Sequence, residues 1–350
     1  MTVAVDRLVY SEDELLREHD YAAPHVAAGF RLHGGFDAGG RYLSPRSLVR
    51  APAVRAWQDR LRDEGHALLP ADPSLLRAGP YPSFEQTRCL LRHGIDQGLW
   101  NSLTITGIIE ARGRILAAYT APDFQPLVED DLSTRALGHL NRGLLRAHGL
   151  DEGGEPERGV GGHDAMWFAI RDLVLGKDRH PIPDVPPRIA REDEAERLEP
   201  RFPLAHEQMI TLLMNVLMIE VRAETVFALT ERLLRDPSLF PTRRAEAEEA
   251  VVLVNRIRQD EEIHVEYLRT VLSELRALTF RSAGGRFSGA EVIDPMWRVL
   301  VHWHAVENPR RAHAEQQTLV RRRILAHPGG ESILREFEAL EPPDPRARAA

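Results

Sequence analysis

Residues 254–275 read VNRIRQDEEIHVEYLRTVLSEL. Val254, Ile257, Glu261, His264, Leu268, Val271 and Leu275 recur at alternating steps of three and four, the spacing that lines one face of an α-helix. That face is an apolar seam with a carboxylate and an imidazole at its centre. An ionised carboxylate taken into a core without a partner loses many kcal/mol of hydration. Glu261-Glu262-Ile263-His264, a Glu-x-x-His on a buried stripe, therefore asks for a cation. The bland alternative is a solvated ion pair on a helix surface, and the apolar neighbours argue against it.

Upstream, residues 204–235 repeat the design, with Met209, Leu213, Val216, Glu220 and Phe227 on one stripe. Two segments then match at a fixed offset: Ile108-Ile109-Glu110-Ala111-Arg112 and Met218-Ile219-Glu220-Val221-Arg222. Each is followed by an Asp-Glu pair, Asp151-Glu152 after 42 residues and Asp260-Glu261 after 41, counted between the glutamates. The pattern is a duplicated helical hairpin, and it predicts an all-α fold. Several carboxylates converging on one core repel each other, and dications remove both the repulsion and the unmet lone pairs.

The first half needs a histidine after Glu152, but three residues on stands Glu155. Residues 153–162 read as a connection lengthened by glycines and Pro156, after which His163 opens a new helical pattern. His163 is the displaced partner in this alignment. His148, one turn before Glu152, and the loop residues Glu155 and Glu157 compete for the role.

These residues resemble the ferritin-like di-iron carboxylate superfamily, in which four helices supply Glu, Glu-x-x-His, Glu, Glu-x-x-His across a long crossover. The resemblance covers about residues 84–278. It implies a ferritin-like four-helix bundle with additional N-terminal and C-terminal helical segments. By matching position it implies Glu110, Glu152, His163, Glu220, Glu261 and His264 as ligands of two iron ions, with manganese possible. Glu224, one turn past Glu220, stands where oxygenases of this superfamily often carry threonine; it is expected as an extra or alternative ligand near bound oxygen. Tyr267, one turn beyond His264, is a candidate redox-active residue or else a core aromatic like Trp100 and Trp167. The implied activity is an O2-dependent oxidase or oxygenase that hydroxylates, desaturates or N-oxygenates a small organic substrate, with electrons from a reductase or from the substrate. The alternative is a ferritin-like iron- or manganese-binding protein without an organic substrate.

The rest of the chain frames this unit. Residues 1–82 are broken by prolines and by the loop-type pairs Gly34-Gly35 and Gly39-Gly40, and read as a wrapping segment. Ser83-Phe-Glu-Gln86 reads as a helix-starting capping box, with helical character to about Tyr119 and again over Leu132–Leu150 and His163–Leu175. A proline- and charge-rich crossover spans Lys177–Pro203. Residues 281–340 form a helical extension starting at Asp294-Pro295 and broken near Pro309, which could also build a substrate pocket or a homodimer interface. Residues 341–350 read as a disordered tail.

Composition narrows the function. Net charge is −8 with interspersed signs, which argues against nucleic acid; Arg310, Arg311, Arg321, Arg322 and Arg323 read as a solvated face. Cys89 is the only cysteine, so no internal disulfide forms and a reducing cytoplasm is expected. No apolar run suits a signal peptide or a membrane span. His206 and Glu207 lie near a helix start, where Glu207 suits the helix dipole; His302, His304, Glu307 and His313 suit a second site or an outer shell, with a solvated or interface face as the blander reading. No phosphate-binding glycine motif or Cys-x-x-Cys-His is present.

Overall fold

The computed structural model describes residues 7–76, 79–187, 189–191, 197–282 and 284–341; the expected tail thus lies almost wholly outside the described residues. The described chain is mostly helical. In order, it runs α1 (Glu12–Leu15), β1 (Ala23–Ala27), β2 (Phe30–Phe36), β3 (Tyr42–Leu43), α2 (Ser47–Asp63), α3 (Phe84–Arg92), α4 (Gln97–Gly113), α5 (Leu144–Gly153), α6 (His163–Leu175), α7 (Leu204–Arg235) and α8 (Arg244–Ala277). The hairpin β4 (Thr279–Ser282) and β5 (Gly285–Ser288) follows, then α9 (Ala290–His302), α10 (Asn308–Leu325) and α11 (Gly330–Ala339).

The two long helices are those whose stripes were longest in the sequence. α7 packs along α8, α8 against α6, and α6 against α4, while α5 touches α4, α6 and α8. Their apolar stripes meet in two cores. One is built around Trp167, Phe227, Val254 and Ile257, the other around Met209, Leu213, Leu268, Leu272 and Leu275. Between them lies the stretch of α7 and α8 that carries the glutamates and histidine.

Several expectations are corrected by local geometry. The helix expected over Leu132–Leu150 begins only at Leu144, because Gly143 takes a left-handed φ of 119° and Ala136–Arg142 winds as a tighter 3-10 helix. The helix expected from Ser83 does start with a capping box between Ser83 and Gln86, but it is interrupted between α3 and α4. Pro295 lies inside α9 rather than at its start, since Val292 and Ile293 already donate to Gly289 O. A wide π-helical turn over Trp303–Glu307 then leaves Pro309 in the first turn of α10, where its missing N–H is not needed.

The N-terminal residues do more than wrap. β1, β2 and β3 form an antiparallel sheet, and Gly34 and Gly35 are strand residues rather than loop residues. A side chain at Gly34 would meet the Tyr42 hydroxyl at 2.6 Å, and one at Gly35 the Tyr21 ring at 2.5 Å. Helix α2 docks on α8 and sends Ala53, Val54 and Trp57 into the same core as Leu213 and Leu272. A single core therefore crosses the boundaries expected near residues 82 and 280.

Candidate metal centre

Glu110 on α4, Glu152 on α5, Glu220 on α7 and Glu261 on α8 are all buried, each at most 8% exposed. His148, His163 and His264 are fully buried beside them. Two overlapping groups emerge, Glu152–His163–Glu261–His264 and His148–Glu152–Glu220–His264, in each of which one donor atom per residue lies within 4.8 Å of all the others. Such buried groups could hold metal ions.

The contacts are short. His264 Nδ1 lies 2.7 Å from Glu261 Oε2 and 3.2 Å from Glu152 Oε1. His163 Nδ1 lies 2.9 Å from Glu261 Oε1, and His148 Nε2 lies 3.3 Å from both Glu152 Oε1 and Glu220 Oε1. Yet His148 Nε2, Glu152 Oε1, His163 Nδ1 and Glu261 Oε1 have no hydrogen-bond partner. They are close but misaligned, aimed into shared space rather than at each other. A buried donor or acceptor left unmade costs about 1–3 kcal/mol, so the convergence of four such atoms points to a missing positive centre. The donor set, carboxylate oxygens with imidazole nitrogens, is one that could hold metal ions.

Protons do the neutralising when no cation does. Burial and the neighbouring Glu152 charge hold the Glu110 carboxyl well above its usual range. Burial and the Glu261 charge push Glu220 up to about 7. Burial opposes ionisation of Glu152 too, but the Glu110 carboxyl and the three imidazoles crowded around it hold it well below the usual range. His163 and His264 are both raised well above an ordinary histidine, against the cost of burial, first of all by the Glu261 carboxylate.

The two halves brace each other. His264 Nε2 lies 3.1 Å from Asp151 Oδ2, beside Glu152 in the first half. His163 Nε2 lies 3.6 Å from Asp260 Oδ2, beside Glu261 in the second. Each Asp-Glu pair thus contributes a candidate ligand and sets its aspartate against the other half's histidine, hydrogen-bonded on the Asp151 side, with Nδ1 of both rings facing the glutamates. The N-terminal elements hold the aspartates in turn. Arg46 Nε and Arg50 Nη2 donate to Asp151 at 2.9 and 2.5 Å, and the Tyr42 hydroxyl donates to Asp260 at 2.8 Å. His33 Nε2 lies 3.2 Å from the same Asp260 oxygen.

Of the seven ligand positions named from the sequence, Glu152, His163, Glu220, Glu261 and His264 fall in these groups, and Glu110 lies buried beside Glu152. Glu224 stands apart: its carboxylate is half exposed and accepts from Arg258 Nε at 2.9 Å, so an arginine one turn before Glu261 on the facing helix has taken it. Tyr267 is buried, and its hydroxyl and His148 Nδ1 share a hydrogen bond of 2.7 Å. His148, a rival of His163 in the sequence, joins the cluster alongside it, its ring stacked on that of His264 at 3.9 Å. Of the other rivals, Glu155 pairs with Arg46 and Arg158 and Glu157 with Arg114. His302, His304, Glu307 and His313 do not form a second site: His304 bonds Asn215, His302 faces Glu307 in the open, and His313 packs on Tyr81. Arg46, Arg50, His33 and Tyr42 were not legible in the sequence, because nothing in a broken N-terminal segment announces which core it reaches.

No helix among the described residues is long and apolar enough to cross a membrane. The chain matches no family model, no curated protein and no solved structure.

Proposed function

We propose that this chain is a di-iron carboxylate oxidoreductase that uses O2 to oxidise a small organic substrate, built on a ferritin-like arrangement of α4, the interrupted pair α5 and α6, α7 and α8. The observation that carries the reading is the set of buried donor atoms without partners, His148 Nε2, Glu152 Oε1, His163 Nδ1 and Glu261 Oε1, gathered inside one apolar shell. Glu110, Glu152, Glu220, Glu261, His163 and His264 would hold the metal, with His148 as a further nitrogen donor. When bound, two iron ions supply the electrons that dioxygen takes up; manganese fits the same donors.

The chain's own residues set the conditions for that chemistry. Asp151 fixes the tautomer and direction of His264, and the Asp260 carboxylate faces His163 Nε2. The surrounding Leu, Met and Trp side chains exclude water. Tyr267 holds a proton at its phenol oxygen, which burial and the Glu220 charge keep far from ionising, and it shares a hydrogen bond with His148 Nδ1. Hydroxylation, desaturation and N-oxygenation all fit, with electrons from a reductase or the substrate.

A second reading, an iron- or manganese-binding protein without an organic substrate, is favoured by the enclosure of the cluster. Surface clefts open beside Ala314, Thr318 and Arg322 and beside Leu8, Asp59 and Glu64, and neither is lined by a residue of the cluster. Anaerobic loading with Fe(II), followed by oxygen, separates the readings. The enzyme binds about two ions per chain and stops there; a store accumulates many. Less than one ion per two chains would defeat both.

A further inference from the structure

Cys89 and His93 lie one helical turn apart at the end of α3, and both face Glu336 on α11. A sulfur, an imidazole nitrogen and a carboxylate oxygen from the three residues all lie within 4.8 Å of one another. His93 Nε2 is 2.9 Å from Glu336 Oε2, and the Cys89 sulfur lies within 4.8 Å of the same pair of donors. Cys89 is buried at 3% exposure, whereas the side chains of His93 and Glu336 are 36% and 49% exposed. The group therefore has a closed sulfur end and an open edge. It sits on the rim of a third small core, where Leu90 of α3 meets Ile324, Ile333, Leu334 and Phe337 of the C-terminal helices. Arg92, whose charge acts on both Cys89 and Glu336, is itself solvent-exposed.

A His–Glu ion pair at a surface needs no third partner. A thiol placed beside the same carboxylate, on the same helix face as the imidazole, supplies the donor types of a tetrahedral zinc site with one position open. We propose that Cys89, His93 and Glu336 bind a zinc ion, with water completing the coordination. The sulfur and nitrogen donors select zinc over ferrous iron and manganese, the reverse of the oxygen-rich cluster between α4 and α8. Binding converts the Cys89 thiol to thiolate and releases its proton to solvent. The ion ties α11, and with it the C-terminal extension, to the segment that leads into α4.

Cobalt(II) is the probe. Added to the reduced, full-length protein without oxygen, it should give a sulfur-to-cobalt charge-transfer band in the near-ultraviolet that saturates at one ion per chain and is bleached by zinc. Since Cys89 is the only cysteine, the band can come from no other site, so the outcome is independent of the carboxylate cluster. C89S should abolish the band. E336A, at an exposed position that leaves folding intact by circular dichroism, should weaken cobalt binding by more than about tenfold. Absence of the band in the wild-type protein at saturating cobalt overturns the proposal, and so does a band whose titration is unchanged in both E336A and H93A.

Discussion

Asp151 and Asp260 occupy equivalent places beside the two candidate ligands Glu152 and Glu261, but their surroundings differ, and so must the cost of losing them. Asp151 is fully buried against two buried guanidinium groups, Arg46 and Arg50, whose charges hold its carboxyl well below the usual range despite burial. Asp151→Asn leaves the buried Arg50 without its carboxylate, while Arg46 keeps Glu18 and Glu155, and should cost about 3–5 kcal/mol. Asp260 faces a hydroxyl and two imidazoles, and Asp260→Asn should cost about 1–3 kcal/mol. Denaturant unfolding of the metal-free variants measures both, and equal losses would show that the arginines do not depend on Asp151. Glu224 offers the contrasting case. Glu220→Gln should lower bound metal by at least one ion per two chains, while Glu224→Gln, which only releases Arg258, should leave metal content unchanged. Loss of metal in Glu224→Gln would return that residue to the centre. The sequence marked Glu220 and Glu224 alike, because positions four apart share a helix face; it could not show that Arg258 of α8 stands opposite the second of them.

Among the elements, the broken α5–α6 connection and the N-terminal sheet decide whether the first half works. The sequence revealed the repeat through its Asp-Glu pairs, and it revealed α7 to the residue and the glutamate- and histidine-bearing stretch of α8, because long apolar stripes outweigh local propensity. It hid how His163 returns to Glu152. The answer is close backbone crossing: at Gly162 a side chain would meet Gly154 N at 2.4 Å and the carbonyls of Asp151 and Glu152 at 2.6 Å. Backbone on three sides cannot give way, so Gly162→Ala should displace α6 from α5 and remove the His163 nitrogen from the cluster. Metal content is the measure, and normal loading in Gly162→Ala would mean that His163 is not needed. The sheet acts at one remove, through Asp260. Tyr42→Phe deletes only the hydroxyl that donates to Asp260 and should weaken metal affinity about tenfold or more, as loss of an outer partner commonly does. A competition titration with a chelator reads this directly; unchanged affinity would confine β3 to packing.

At the scale of the whole molecule, the cluster makes stability depend on pH in opposite senses with and without metal. Without metal, Glu220 has its carboxyl raised from 4.5 to about 7, and Glu110, His163 and His264 are raised as well. The folded state then binds more protons than the unfolded chain, so these groups contribute stability that is fully present below their unfolded values and lost as pH rises through the folded ones. Glu220 alone accounts for on the order of 3 kcal/mol across its window. Glu152, Asp151 and Asp260 are shifted the other way, and their contribution is lost only on acidification below about pH 4. Between about pH 5 and 8 the metal-free protein should therefore melt at progressively lower temperature as pH rises. Metal must displace those same protons, so its binding strengthens over the same interval. The gap in melting temperature between loaded and metal-free protein, followed by scanning calorimetry, should widen steadily with pH. A gap that stays constant or narrows would mean that the protons held by Glu110, Glu220, His163 and His264 are not standing where the cations bind.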